Sequence, residues 1–168
     1  VIIGGESDDI YQDDCALIID FGGNDTYLNN AGSTSPTGLG AAIVIDLAGD
    51  DKYIGYDFCQ GAGFGGVGCL IDMEGDDIYQ AQNYSQGIAL GGYSIFYDGG
   101  GNDTYTGNLF NQCAALFGNS VFIEAGGNDS YTVQTMGQAF ASTYGTALMV
   151  EQDGHDTYKA GGKYGFYN

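Results

Sequence analysis

Positive charge is almost missing from this sequence. Among 168 residues there are three lysines (Lys52, Lys159 and Lys163), no arginine and one histidine, against 22 acidic residues, for a formal net charge of −19. Such a polyanion is excluded from nucleic-acid binding, because phosphate contacts require cationic side chains, and it has no attraction for anionic lipid. Tryptophan is absent and proline occurs once, at Pro36. No apolar run approaches the ~20 residues that a membrane-crossing helix needs, so membrane insertion is not expected. No leader is visible before Val1, and the chain is expected to be a mature product or a piece of a longer one. Cys15, Cys59, Cys69 and Cys113 form no Cys-x-x-Cys pair and no disulfide framework by spacing. They are read as small apolar fillers.

Glycine, by contrast, is abundant at 31 residues, with 14 tyrosines and 9 phenylalanines. A hydrophobic content of 43% argues against the disorder that a high net charge alone would suggest. Many glycines and aromatics without proline fit short strands joined by tight turns.

The dominant signal is a repeat. Tyrosine recurs at Tyr27, Tyr53, Tyr79, Tyr105 and Tyr131, each step being 26 residues, followed by Tyr158 after 27 and preceded by Tyr11 at only 16. The tyrosines from Tyr27 on close a motif, acidic-x-x-Gly-(Asn/Asp)-Asp-x-Tyr, as in Asp20-Phe21-Gly22-Gly23-Asn24-Asp25-Thr26-Tyr27, with His155 at the Asn/Asp position of the last copy; the copy before Tyr11, Gly5-Glu6-Ser7-Asp8-Asp9-Ile10-Tyr11, is degenerate. Before the acidic residue lies an apolar alternation: Leu17 and Ile19, Ile43 and Ile45, Cys69 and Ile71, Val121 and Ile123. Period two denotes a strand with one face buried, and these residues are expected to point inward. Phe58, Tyr84, Phe110 and Met136 form a further column expected inside, and Gln60, Gln86, Gln112 and Gln138 one expected to make amide ladders. No segment has helical periodicity. The expected fold is all-β: a right-handed parallel β-solenoid of about six 26-residue coils, one domain over residues 1–168, with like residues stacked at about 4.8 Å.

The residue two before each tyrosine is always aspartate: Asp9, Asp25, Asp51, Asp77, Asp103, Asp129 and Asp156. The position before it varies (Asp8, Asn24, Asp50, Asp76, Asn102, Asn128, His155). Asparagine serves a turn as well as aspartate does, so invariance asks for another cause. Two carboxylates about 4.8 Å apart repel by about 3 to 4 kcal/mol at an effective dielectric near 20. A second acidic column, Asp20, Asp46, Asp72, Asp98, Glu124 and Glu151, runs alongside. Three lysines cannot neutralise this ladder, so either several carboxyls hold protons or cations sit between coils. Crowded hard oxygen ligands favour Ca²⁺, and both columns are the candidate ligands.

The turns Gly23-Asn24-Asp25-Thr26-Tyr27 and Gly101-Asn102-Asp103-Thr104-Tyr105 resemble the latter part of the repeats-in-toxin nonapeptide, Gly-Gly-x-Gly-x-Asp-x-hydrophobic-x. The resemblance covers about eight residues of each repeat. It implies Ca²⁺ held between coils by the Asp25 column and turn carbonyls, with the Tyr27 column inward. The chain departs from the family in having an acidic residue, such as Asp20, where the family has its first glycine, and one motif per coil rather than two. One row of calcium sites is therefore expected.

Catalysis is not expected. His155 is a repeat variant, the carboxylates form an array rather than a singular site, and a polysaccharide lyase would want a basic proton acceptor. Ice binding wants a regular threonine array, whereas the column between Asp and Tyr reads Ile10, Thr26, Lys52, Ile78, Thr104, Ser130, Thr157. Neither end carries an obvious cap, and the last residues, Lys159 to Asn168, read as an unfinished coil with Tyr164, Phe166 and Tyr167. Exposed strand edges recruit other chains. The expectation is an extracellular or cell-surface structural protein, partnering itself head to tail in a filament. The alternative is a segment of a surface adhesin that recognises a carbohydrate or surface, with the Tyr56-Asp57 region as its recognition point.

Overall fold

The structure, a computed structural model, describes residues 1–28, 30–34, 38 and 40–161. The C-terminal aromatics Tyr164, Phe166 and Tyr167, and with them most of the unfinished coil, lie outside the described residues, as do Pro36 and Lys163.

The chain winds as an all-β parallel solenoid of about five turns, without helices among the described residues. The count is lower than the expected six because the short first interval does not make a full coil. Each full coil has three sides. The first sheet has seven strands: Ile2–Ile3, Leu17–Asp20, Ala41–Asp46, Val67–Asp72, Tyr93–Asp98, Asn119–Glu124 and Thr146–Glu151. The second also has seven: Ile10–Tyr11, Thr26–Tyr27, Lys52–Ile54, Ile78–Gln80, Thr104–Leu109, Ser130–Thr135 and Thr157–Ala160. The third has four: Gly63–Phe64, Ile88–Leu90, Ala114–Leu116 and Phe140–Ser142. Every pairing is parallel and in repeat register, Asp46 opposite Asp72 and Tyr53 opposite Tyr79 for example.

The tyrosine column is the spine of the core. Rings from Tyr11 to Tyr158 stack with centroids 4.5 to 4.8 Å apart. Offset aromatic contacts of this kind add to the area they bury. A second inward column, Ile18, Val44, Leu70, Phe96 and Phe122, is buried against it, with the Phe96 and Phe122 rings 4.4 Å apart.

That column corrects the expected phase of the first sheet. Ile18, not Leu17 or Ile19, points inward, and the same parity carries Asp20, Asp46, Asp72, Asp98 and Glu124 to full burial. Leu17 and Ile19, Ile43 and Ile45, Cys69 and Ile71, Val121 and Ile123 therefore line the outside of the sheet. Because residues on both sides of these strands are apolar, alternation alone has no phase.

Two further columns differ from expectation. Phe58, Tyr84, Phe110 and Met136 sit at a corner in left-handed backbone (φ 51 to 57°), only partly covered. The glutamines do not chiefly bond one another. The Gln60 amide donates to Tyr53 O (2.7 Å) and Gln80 O (3.0 Å), and Gln86 and Gln112 repeat the pattern one coil on. They tie successive strands of the second sheet from within. Cys59, Cys69 and Cys113 are buried thiols and all four cysteines are free.

Candidate metal centre

The site lies where the first sheet turns into the second. From Leu17–Asp20 onward each first-sheet strand ends on a residue of the Asp20 column, a glycine-containing turn follows, and the Asp25 column precedes the tyrosine strand. The turn glycine has a local explanation. Gly49 has φ +144°, and a Cβ there would fall 1.6 Å from Gly23 O of the neighbouring coil. Gly75 meets Gly49 O at 1.7 Å in the same way. Coil-on-coil stacking alone demands glycine here, whatever the turn binds.

The Asp25 column is a hydrogen-bond ladder. Asp25 N–H donates to Asp51 Oδ1 (2.6 Å), Asp51 N–H to Asp77 Oδ1 (2.7 Å), Asp77 N–H to Asp103 Oδ1 (2.7 Å) and Asp103 N–H to Asp129 Oδ1 (2.7 Å). Beside it the Asn/Asp column makes an exposed ladder of opposite direction: Asp76 N–H donates back to Asp50 Oδ1 (3.0 Å), and Asn102 N–H to Asp76 Oδ1 (2.7 Å). Either residue type offers the single acceptor that the outer ladder needs, which is why that column varies and tolerates His155, a donor through its backbone only. One acceptor would also satisfy the inner ladder. Its second oxygen is what distinguishes aspartate, and Oδ2 of Asp25, Asp51, Asp103 and Asp129 is buried without a hydrogen-bond partner.

The Asp20 column faces those free oxygens from the end of the first sheet. In Asp20 and Glu124 the first oxygen caps the turn: Gly22 N–H donates to Asp20 Oδ1 (2.7 Å) and Gly126 N–H to Glu124 Oε1 (2.8 Å). In Asp46, Asp72 and Asp98 the second oxygen accepts a tyrosine hydroxyl, from Tyr27 (2.6 Å), Tyr53 (2.6 Å) and Tyr105 (2.7 Å) respectively. Tyr11 bonds Asp20 likewise. Sequence reasoning gave the tyrosines a packing role alone. The signal for the second role was there, since phenylalanine never replaces tyrosine at the position. Asp72 Oδ1, Glu124 Oε2 and Glu151 Oε1 are also buried without partners.

The two columns thus merge into one buried acidic seam. It contains five carboxylate triads: Asp20–Asp25–Asp46, Asp51–Asp72–Asp77, Asp77–Asp98–Asp103, Asp103–Glu124–Asp129 and Asp129–Glu151–Asp156, each with one oxygen per residue within 4.8 Å of the others. Twelve of the thirteen candidate residues fall in these triads, and Asp9 does not. The seam runs inside the solenoid rather than along an open edge, and that changes its electrostatics. Burial, reinforced by neighbouring carboxylates, pushes Asp51 up to about 9, Asp77 to about 11, Asp72 and Asp103 to about 8 and Glu124 to about 10. Burial also raises the tyrosine hydroxyls well above their ordinary value, so they remain donors.

Such a seam reaches neutrality by binding protons or by binding cations. The donor set fits a hard cation, because every free atom is a carboxylate oxygen and the seam contains neither imidazole nor thiolate. The buried thiol of Cys59 is pushed up to about 12 and stays protonated. No family model, curated protein or solved structure matches the chain.

Proposed function

We propose that this chain is a calcium-stabilised structural solenoid of the cell exterior, its acidic seam holding Ca²⁺ between successive coils as the repeats-in-toxin resemblance implies. The observation that carries this reading is the set of buried carboxylate oxygens without partners, gathered three residues at a time. An unpaired buried carboxylate is costly, and a divalent ion shared by neighbouring coils removes that cost while bracing one coil against the next. Binding energy of this kind is folding energy, so the fold would be complete where calcium is plentiful. Extracellular calcium is millimolar, and sites with Kd of about 10⁻⁴ to 10⁻³ M suffice there. A further coil of the same kind, on this chain or on another copy, would continue both ladders by the same hydrogen bonds, which is the basis for proposing head-to-tail assembly into a filament. The test is calcium titration of the chelated chain by calorimetry, with magnesium as control. Saturable uptake of several Ca²⁺, accompanied by a rise in melting temperature, supports the reading. No uptake at 10 mM Ca²⁺ sinks it.

One observation favours a second reading, a carbohydrate-binding module. A recess of about 300 Å³ between the second and third sides is lined by Asn83, Asn108, Leu109, Gln134 and Thr135, groups that suit hydroxyl-rich ligands. A glycan array would test it. Tyr56, 76% exposed and close by in its coil, is the residue to substitute.

A further inference from the structure

The outer face of the first sheet is apolar where the outer face of a solvated sheet is polar. Two columns run its whole length, one from Leu17 to Leu148 and one from Ile19 to Val150, and neither contains a charged residue. The second sheet provides the comparison within the same molecule. Its outward positions mix Ile10, Ile54 and Ile78 with Lys52, Gln80, Thr104, Thr106, Thr132 and Lys159, a wetter chemistry than the unbroken apolar columns of the first sheet. Strands that read as unbroken apolar runs, such as Ala41–Asp46, belong to parallel sheets covered on both sides. Here one side is the tyrosine core, and much of the other is open: Tyr93 is 58% exposed, Ile95 45% and Leu148 52%, while the small Cys69 lies buried in the row between Ile43 and Ile95.

We infer that this face pairs with the same face of a second copy, the two first sheets packing against each other across a two-fold axis. Three features select that occupant. The first is area. Five strands of six residues, one of four and one of two, spaced about 4.8 Å with about 3.3 Å per residue, give a face of roughly 570 Å² and a pair burying about 1,100 Å², near the lower bound for stable complexes. The second is charge. A chain of net charge −19 repels its own copy, but its exposed acids, Asp50, Glu74 and Asp76 among them, sit on turns beyond the strand ends. This face lets two copies touch without apposing carboxylates; the third side is also free of charge, but its strands of two or three residues offer a far smaller surface. Lys52 and Lys159 lie on the second sheet, so among the described residues no basic fringe directs the face to lipid headgroups. The third is periodicity. Both faces carry rows at the strand spacing, and aligned sheets about 10 Å apart interdigitate such rows. The contact is isologous and closes at two copies, unlike head-to-tail stacking.

The test is sedimentation equilibrium of the full chain over a concentration series, at 5 mM Ca²⁺ and in chelator at pH 5.5, circular dichroism confirming the fold in each sample. The pairing does not depend on the metal, so failure of the calcium reading leaves it standing. The expected result is a dimer at tens of micromolar. The Ile71→Lys/Val121→Lys variant should weaken it by at least about 100-fold, since buried unpaired charge is costly, while Thr106→Lys on the second sheet should leave it unchanged. Should the lysine pair impair folding, Ile71→Thr/Ile95→Thr/Val121→Thr keeps β-branched strands and should still dissociate the dimer. A monomer up to several hundred micromolar overturns the inference. So does an assembly insensitive to the face variants, which would indicate end stacking, or a monomer that instead partitions onto phosphatidylcholine vesicles.

Discussion

Remove calcium and the acidic seam must be neutralised by protons, which makes the stability of the chelated protein steeply dependent on pH. Asp51, Asp72, Asp77, Asp103 and Glu124 all have folded pKa values of about 8 or above, while in the unfolded chain such groups titrate near 4. At pH 7 folding therefore captures protons. The native state binds more protons than the unfolded one, so stability falls as pH rises, by about 1.4 kcal/mol per pH unit for each proton captured. The contribution is fully present below pH ~4 and is lost progressively as pH rises through the folded values. Against a typical total of about 5 to 15 kcal/mol, this loss, summed over the protons captured, is decisive. The chelated protein should be folded at pH 5 and unfolded by about pH 8, while 10 mM Ca²⁺ should keep it folded at pH 8. Thermal melts followed by far-ultraviolet circular dichroism, in chelator and in calcium from pH 5 to 8.5, provide the assay. Calorimetry in two buffers of different ionisation enthalpy adds the proton count, because calcium binding at pH 7 should expel protons from the seam. A chelated protein that melts at the same temperature at pH 5 and pH 8 refutes the reasoning, as does calcium binding without proton release.

Three substitutions test individual parts of the seam. Asp77→Asn removes the carboxyl shared by two triads; calcium affinity should fall roughly 10-fold or more while the chelated protein becomes more stable above pH 7, both read from titration and melting. Tyr53→Phe keeps the ring stack but deprives Asp72 of its hydroxyl donor at 2.6 Å, and equilibrium denaturation should show a loss of about 1 to 3 kcal/mol. Gly75→Ala places a Cβ 1.7 Å from Gly49 O at φ +150°; a loss of at least about 4 kcal/mol or failure to fold is expected, and near-wild-type stability would show that the turns are not packed as described.

The parallel solenoid, its period and the column-by-column stacking were legible because the tyrosine and aspartate spacings hold at 26 from Tyr27 to Tyr131. The phase of the first sheet was not. Leu17-Ile18-Ile19 is apolar at every position, so period two gives no direction, and the one residue that fixes it, Asp20, points inward against the usual expectation for a carboxylate. The two acidic columns could be named from sequence, but their union could not, since that depends on a turn bringing Asp25 back onto Asp20 and Asp46. The role of the glutamines was hidden for a related reason: Gln60 reaches carbonyls of Tyr53 and Gln80, seven and twenty residues away in sequence.

Both irregularities of the period fall on the same arm of the coil. The interval from Tyr11 to Tyr27 has no third-sheet strand, yet the two rings still stack at 4.7 Å. The extra residue before Tyr158 enters between Ser142 and Thr146, since Leu116 pairs with Ser142 at an offset of 26 and Asn119 with Thr146 at 27. The third side is therefore where this architecture absorbs insertions and deletions, while the seam and the tyrosine stack hold a fixed length. A foreign peptide grafted between the third and first sheets should be displayed at a regular pitch without disturbing the acidic seam, which makes that arm the natural place for a lineage, or an engineer, to vary the molecule.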